Sequence, residues 1–297
     1  MLVAVMTLFY PDLDLLAKNI LVLNGFGIPV VLYDNTEGDR ASENERCLAD
    51  LRAANNYKLL YVGCGVNEGL GVAFNVGVDE GVKSFGGEDF IFLDQDTDLS
   101  RSDLKILIEK YLPLKGRTDV AVFGGVPVRG DGQKYRYKLT GANFALPEYL
   151  DALLVITSFS IIPLSAIKAV GGFQSDFFID HIDYDFCWKA RKIGRSSLIC
   201  PEANFTHEVG NGDVRLFGKI ICPISSPFRG YYQVRNTIIS SKRGGAPVAW
   251  SFFEIFKRFV VIFLNGLFGG GLIARLRYGV RGLIDGFRGV GGKYGYK

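Results

Sequence analysis

Short apolar runs alternate with helically spaced stretches through the first half of the chain. Residues 2–7 (LVAVMT), 29–34 (PVVLYD), 58–63 (KLLYVG), 89–94 (DFIFLD) and 119–125 (DVAVFGG) predict strands. Between them, residues 13–23, 71–85 and 102–112 predict helices. This βαβα rhythm predicts an α/β fold with a mainly parallel, doubly wound sheet and flanking helices. In such sheets a ligand binds beyond the carboxyl ends of the strands. Those ends hold Tyr10-Pro11, Asp34-Asn35, the 63–71 loop and Asp94-Gln95-Asp96, so four polar loops are expected to converge on one crevice. Residues 126–150 are irregular and rich in Gly, Lys and Tyr, and read as an excursion. The segment 151–210 returns to strand and helix, with a helix over about 183–194, and helices dominate from about Phe228. The expected division is an α/β body over 1–241 and a helical appendage over 242–297.

Composition adds three constraints. With 48% apolar and 22% charged residues in 297, the chain is a packed globular protein. Its five cysteines are scattered and odd in number with no C-x-x-C pair, which argues against a disulfide framework or zinc site and favours a reducing compartment. The N-terminal MLVAVMTLFYPD has no basic n-region or cleavage site and reads as a first buried strand, not a signal peptide. The net charge of +3 is unevenly spread. Residues 242–297 hold ten Lys/Arg against Glu254 and Asp285, which leaves the body at −5. An acidic body with a basic, apolar tail points to two jobs in one chain.

The candidate chemistry begins where the apolar strand FIFLD runs into Asp94, Asp96 and Asp98. Alternate side chains of an extended chain point the same way, so Asp94 and Asp96 face one common object. A divalent cation, Mg2+ or Mn2+, relieves their repulsion and suits oxygen ligands. Such aspartates also serve turns, and Asp98 or Ser100 can start the next helix. Upstream, Asn67, Gly69, Gly71, Asn75 and Gly77 mark a loop-to-helix junction where backbone can approach phosphate, or simply a glycine-rich turn. Neither a Walker loop nor the G-x-G-x-x-G spacing is present. Downstream, Asp180, Asp183 and Asp185 surround His181 at a helix start, a place for a general base, although the helix dipole alone also favours acids there. His207 is the second of two histidines. RGYYQVRN (229–236) offers two arginines for a pyrophosphate, or an amphipathic helix with a buried aromatic face.

Taken in order, these pieces resemble inverting glycosyltransferases of family 2, with the GT-A type Rossmann-like fold, and more closely the bacterial rhamnosyltransferase branch. The matching stretches are TLFYPD (7–12), LYDNT (32–36), NEGLGVAFNVGV (67–78), FIFLDQDT (90–97), GGFQSDFFIDHIDYDFCWKARKIG (171–194), THEVG (206–210) and YYQVRN (231–236). The resemblance implies that Thr7 and Tyr10 line the nucleotide site and Asp34 contacts the base. It places Asn67, Gly71 and Asn75 by the base, ribose and phosphates, and Asp94 with Gln95 near the ribose and sugar. Asp96 would be the principal metal ligand with His207 the second, Asp183 the catalytic base, and Arg235 a pyrophosphate contact. His181 stands where relatives often carry an aromatic residue and Asp185 where they often carry glutamate, which leaves the choice of base open. The implied donor is dTDP-L-rhamnose, with UDP-galactofuranose or another nucleotide hexose as the alternative. The implied acceptor is a polyprenyl-diphosphate-linked saccharide for bacterial cell-surface polysaccharide. An inactive GT-A module that only binds glycan or membrane is the reading of another class, and Asp96, Asp183 and His207 together argue against it. Nucleic acid is not expected, because the basic residues cluster with apolar ones.

That clustering defines the tail. Its longest uncharged run, 259–274, has 16 residues and is interrupted by Asn265 and four glycines, short for a membrane span. Large apolar residues interleaved with Lys and Arg suit helices lying in the interface of an anionic leaflet. The expectation is a peripheral, monotopic protein on the cytoplasmic face of the bacterial inner membrane. Packing of these helices on the body or on a second copy in a homo-oligomer is the alternative.

Overall fold

The computed structural model describes residues 1–141, 144, 146, 148–207, 212–216 and 219–295. The first half runs β1 (Leu2–Leu8), α1 (Leu13–Gly25), β2 (Val30–Asp34), α2 (Asp39–Asn55), β3 (Leu59–Gly63), α3 (Leu70–Phe85), β4 (Asp89–Asp94), α4 (Leu104–Tyr111) and β5 (Val120–Val128). The second half runs β6 (Leu150–Asp151), β7 (Ser160–Pro163), α5 (Leu164–Val170), α6 (Ile182–Lys192), β8 (Ser196–Thr206), β9 (Asp213–Leu216) and β10 (Lys219–Pro223). It closes with α7 (Arg229–Lys242), α8 (Val248–Phe268) and α9 (Leu272–Arg288).

Among the described residues, eight strands form one sheet in the order β3-β2-β1-β4-β7-β5-β8-β6. Strands β1 to β4 are parallel, as are β5 and β8, while β7 is inserted antiparallel between β4 and β5, and β6 runs antiparallel on the edge. The sheet is thus mostly parallel, with two reversed strands. Residues 2–6 of β1, 30–33 of β2 and 90–93 of β4 are apolar without a break because both faces of the sheet are covered. On one face Ala4, Met6 and Leu8 pack with Leu16, Ile20 and Leu23 of α1. On the other, Val3, Val5, Phe90 and Phe92 pack with Phe74 and Val78 of α3 and Phe186 of α6.

The apolar pattern does not mark helix α2. It buries little beyond Ala41, Asn44 and Leu48, so no amphipathic stripe marks it, and only its Ala, Glu, Arg and Leu content favours a helix. The excursion at 126–150 begins three residues later than expected, because β5 continues to Val128 beside β8.

Helices α7, α8 and α9 share a small core of Val234, Ile238 and Ile262. Helix α7 also sends Ile239 into the core of the body, so it belongs to both layers, and the 241/242 division falls at its end. Helices α7 and α9 approach closely: a Cβ on Gly282 would lie 2.4 Å from the Tyr231 carbonyl oxygen. Among the described residues, no helix is long and apolar enough to cross a membrane.

Candidate active site

The carboxyl ends of β1, β2 and β4 and the loop after β3 are tied together by polar contacts. Gln95 holds the end of β1 with both ends of its amide, accepting from Phe9 N (2.7 Å) and donating to Phe9 O (3.0 Å). Tyr10 N–H donates to Thr36 Oγ1 (2.9 Å), and Glu68 N–H to Asn35 Oδ1 (3.0 Å). Tyr10 stands exposed at φ 49°, a left-handed conformation of a kind that clusters at ligand sites. Asp34 faces inward. It is fully buried and accepts from Thr36 N (2.7 Å), Asn44 Nδ2 (2.9 Å) and Tyr61 Oη (2.8 Å), so its carboxylate sets the turn after β2.

The 67–78 and 171–194 motifs meet each other. Asn67 Oδ1 accepts from Gly69 N (3.0 Å) and makes the turn into α3. A Cβ on Gly71 would sit 2.1 Å from the Gln174 carbonyl oxygen, so this glycine admits another stretch of the chain. Asn75 clamps that stretch, donating to Phe173 O (2.8 Å) and Ser175 Oγ (3.0 Å) and accepting from Phe173 N (2.9 Å). Leu70 N–H donates to Phe178 O (2.8 Å). The seam fixes the loop that leads into α6, where Asp180 and His181 occupy consecutive left-handed positions (φ 64° and 72°).

Around that loop lies a cluster of carboxylates. Asp183, in the first turn of α6, accepts from Tyr184 N (2.9 Å), yet burial, with Asp180 and Asp94 adding, pushes its carboxyl up to about 7. Burial also raises Asp94, reinforced by Asp96 and opposed by His207, whose Nδ1 lies 3.6 Å from Asp94 Oδ2. Asp96 stands exposed at the rim. The counter-charge is Arg229, at the start of α7, paired through Nε and Nη2 with both oxygens of Asp180 (3.0 and 2.5 Å) and within electrostatic reach of Asp183 and Asp94. One buried hydroxyl oxygen at this end of the sheet, Thr7 Oγ1, makes no hydrogen bond within the protein, and the buried Ser158 lies beside Asp94, where it opposes the effect of burial on that carboxyl. Orphaned polar atoms at such a place mark where a ligand completes the site.

Asp185 is separated from Asp183 by its surroundings. It is buried, accepts from Ser240 Oγ (2.6 Å) and is paired with Lys189 (2.7 Å), so it joins α6 to α7. Of the two candidate bases, Asp183 is the one in the carboxylate cluster. His181 is a buried neutral imidazole, pulled down to about 3 by burial with Arg258 and Lys257 adding, and packed among Phe177, Tyr184 and Trp250.

Arg235 faces the interior. It is fully buried, donates to Asn236 Oδ1 (2.8 Å), Gly292 O (2.6 Å) and Asp176 O (3.1 Å), and lies over the rings of Tyr231 and Tyr232. Arg229, six residues earlier in the same motif, is the arginine that meets the acids. Nothing in the sequence marks Ser158, a lone serine before a strand, and Trp250 is marked only as an aromatic residue just inside a basic apolar tail.

Among the described residues, no group of three or more His, Cys, Asp or Glu converges into a metal cage. The donor set still fits a hard cation: Asp96 is open and Asp94 and His207 stand together, and an ion held there would take its remaining oxygen ligands from phosphate and water. Of the THEVG stretch, Thr206 and His207 are described, and 208–210 lie outside the described residues.

No family model matches the chain. The dTDP-rhamnosyl transferase RfbF of Shigella flexneri is 25% identical over 304 residues, covering 98% of this chain and 97% of the relative. Among solved structures, GalNAc-T7 with UDP, GalNAc and Mn2+ is similar with a TM-score of 0.57 at 13% identity, over 82% of this chain and 47% of that one. The mannosyltransferase PcManGT of Pyrobaculum calidifontis, in complex with GDP-Man and Mn2+, gives 0.54 at 12% identity, over 97% and 75%. TarS 1-349 of S. aureus, in complex with UDP, gives 0.52 at 14% identity, over 97% and 80%. The solved structures share the fold and the curated relative matches this chain from end to end: this chain is a glycosyltransferase with a GT-A-like fold, similar to the rhamnosyltransferase branch of family 2.

Proposed function

We propose that the protein transfers L-rhamnose from dTDP-L-rhamnose, with inversion, to a lipid-linked saccharide in the making of bacterial cell-surface polysaccharide. The observation that carries this reading is Asp183, held at the start of α6 with its carboxyl raised to about 7, beside the Asp94–His207 pair and Arg229. Asp183 takes the proton of the acceptor hydroxyl as that oxygen bonds to the anomeric carbon. The bond from that carbon to the diphosphate breaks on the opposite face, and dTDP leaves with the electron pair. Asp96 and His207 would hold Mg2+ or Mn2+, whose charge would offset that of the leaving diphosphate. Thr7, with its unpartnered hydroxyl, and Tyr10 border the nucleotide, and Arg229 offsets charge near the sugar. The relative's name supports the donor, and the Mn2+ complexes of the fold neighbours support a divalent cation.

The test is release of nucleoside diphosphate from purified protein offered dTDP-rhamnose, UDP-galactofuranose, UDP-galactose and GDP-mannose in turn. The expected result is release from dTDP-rhamnose alone, requiring Mn2+ or Mg2+ and abolished by chelator. Release from another donor would replace the proposed one, and release undiminished by chelator would remove the metal.

Membrane association belongs to the same reading. Helix α8 exposes Phe252 (71%), Phe253 (70%) and Phe256 (66%), and α9 exposes Ile273 (68%) and Phe287 (63%). Apolar surface on this scale, with Lys257, Arg277 and Arg281 among it, suits an anionic leaflet. The inner side of α8 turns Trp250 onto His181, Tyr184 and Trp188, beside the catalytic loop, where a lipid-linked acceptor would enter. Replacing Phe252, Phe253 and Phe256 together with Glu is expected to cut co-sedimentation with anionic vesicles at least about tenfold, since each buried aromatic contributes roughly 1.5–3 kcal/mol, while dTDP binding persists. Unchanged sedimentation would remove the membrane role and direct attention to a second copy of the chain.

A further inference from the structure

The chain turns back after α9, and residues 291–294 lie against the body beside the nucleotide crevice. Gly292 N–H donates to Asp176 O (2.8 Å), and Gly292 O accepts from Arg235 Nη1 (2.6 Å). Tyr294 N–H donates to Tyr232 Oη (2.8 Å). A Cβ on Gly291 would fall 2.3 Å from Asp176 Oδ2, so the tail lies tightly against the loop that leads to Asp180 and Asp183. Arg235 joins the two, because another of its donors reaches Asp176 O (3.1 Å). Anchored on both sides, Lys293 has little freedom in its backbone.

Lys293 Nζ sits 2.6 Å from Glu37 Oε1 and 5.8 Å from the centre of the Phe178 ring. Glu37 follows the Asp34–Thr36 turn at the end of β2. Phe178 accepts the Leu70 N–H, and a Cβ on Gly69 would fall 2.5 Å from its carbonyl oxygen. Lys293 therefore spans the two loops that border the nucleotide end of the crevice. An ion pair with partners 29% and 45% exposed contributes about 0–1 kcal/mol, so it does not hold the tail in place. A lysine on a flexible stem can leave such a partner for a better one.

We propose that Lys293 is a nucleotide-binding residue of the donor site, supplied by the C-terminal tail, which exchanges Glu37 for an oxygen of the bound nucleoside diphosphate. The inference rests on the glycosyltransferase reading of the crevice and adds a donor ligand from the far end of the chain. It also gives the buried Arg235 a purpose: the guanidinium positions the tail that carries the lysine.

The experiment is calorimetric titration of dTDP into the full chain and its variants, with thermal unfolding of each. Lys293→Ala is expected to weaken dTDP about tenfold, the scale of one hydrogen bond to a charged group, with an unchanged unfolding midpoint. Lys293→Arg is expected to keep most of the affinity, and Glu37→Gln to bind dTDP as tightly as the unaltered protein or more so. Unchanged affinity in Lys293→Ala would overturn the inference and leave the function standing. Equal weakening in Glu37→Gln would also overturn it, since the ion pair itself would then be what matters. Failure of the unaltered protein to bind dTDP or UDP would overturn both the inference and the donor reading.

Discussion

Asp183→Asn is expected to lower sugar transfer roughly 10³-fold, the usual range for a general base, and to make the protein more stable. The first effect follows from removing the proton acceptor while its amide replacement keeps the shape. The second follows from the surroundings. Burial, with Asp180 and Asp94 adding, raises this carboxyl from 3.8 to about 7, so ionising it in the folded state is unfavourable. Between those values the native protein binds more protons than the unfolded chain, and stability falls as pH rises. Above about 7 the whole cost is present, and the asparagine variant does not bear it. Allowing for access of solvent to the crevice, the difference is about 2 kcal/mol, or roughly 5 °C in unfolding midpoint. The variant and the unaltered protein should unfold together near pH 4 and diverge towards pH 7. Transfer by the unaltered enzyme should fall as pH drops below neutrality, on a limb well above the ordinary carboxylate range. Transfer within tenfold of the unaltered rate, or unfolding midpoints that stay equal at pH 8, would remove Asp183 from the role of base. Asp185→Asn is the control: it breaks the buried contact with Lys189 and Ser240 and should lower stability instead.

The strands and the carboxylates at their ends were legible because each left a local pattern. Unbroken apolar runs announced β1, β2 and β4, and the DQD triplet announced the end of β4. What spacing does not encode is the partner. Gly71 and Asn75 suit a close approach, and the sequence leaves open whether a phosphate or the chain itself approaches; here the 173–175 stretch does. Gln95 and Asp34 likewise turn their polar atoms onto neighbouring loops, which fixes the edges of the crevice. The reversal of β7 was hidden for a related reason, because SIIP suits either direction and pairing with β4 decides it. Asp183 and Asp185 are two residues apart on a helix, about 200° around its axis. That rotation separates crevice from interior, and only the packing of α6 shows which residue faces which way.

The same geometry separates Arg229 from Arg235, whose six-residue spacing turns them about 240° apart on α7. Their replacements are expected to fail in different ways. Arg229→Met removes the counter-charge of Asp180 and leaves three acids, Asp94, Asp180 and Asp183, near one another. Their repulsion raises Asp183 further, so the acid limb of the pH–rate profile should move to higher pH. Transfer at neutral pH should fall about 10²–10³-fold, the cost of losing one preorganised charge donor. Adding back charge as Arg229→Lys should restore the limb only in part, because an ammonium lacks the planar fork that meets both Asp180 oxygens. Arg235→Met instead strips donors from the carbonyls of Asp176 and Gly292 in a fully buried place. Each orphaned group costs about 1–3 kcal/mol, so a loss of roughly 3 kcal/mol or more is expected, with the pH limb of the remaining folded enzyme unmoved. A shifted limb in Arg235→Met with an unshifted one in Arg229→Met would reverse the assignment and return Arg235 to the diphosphate.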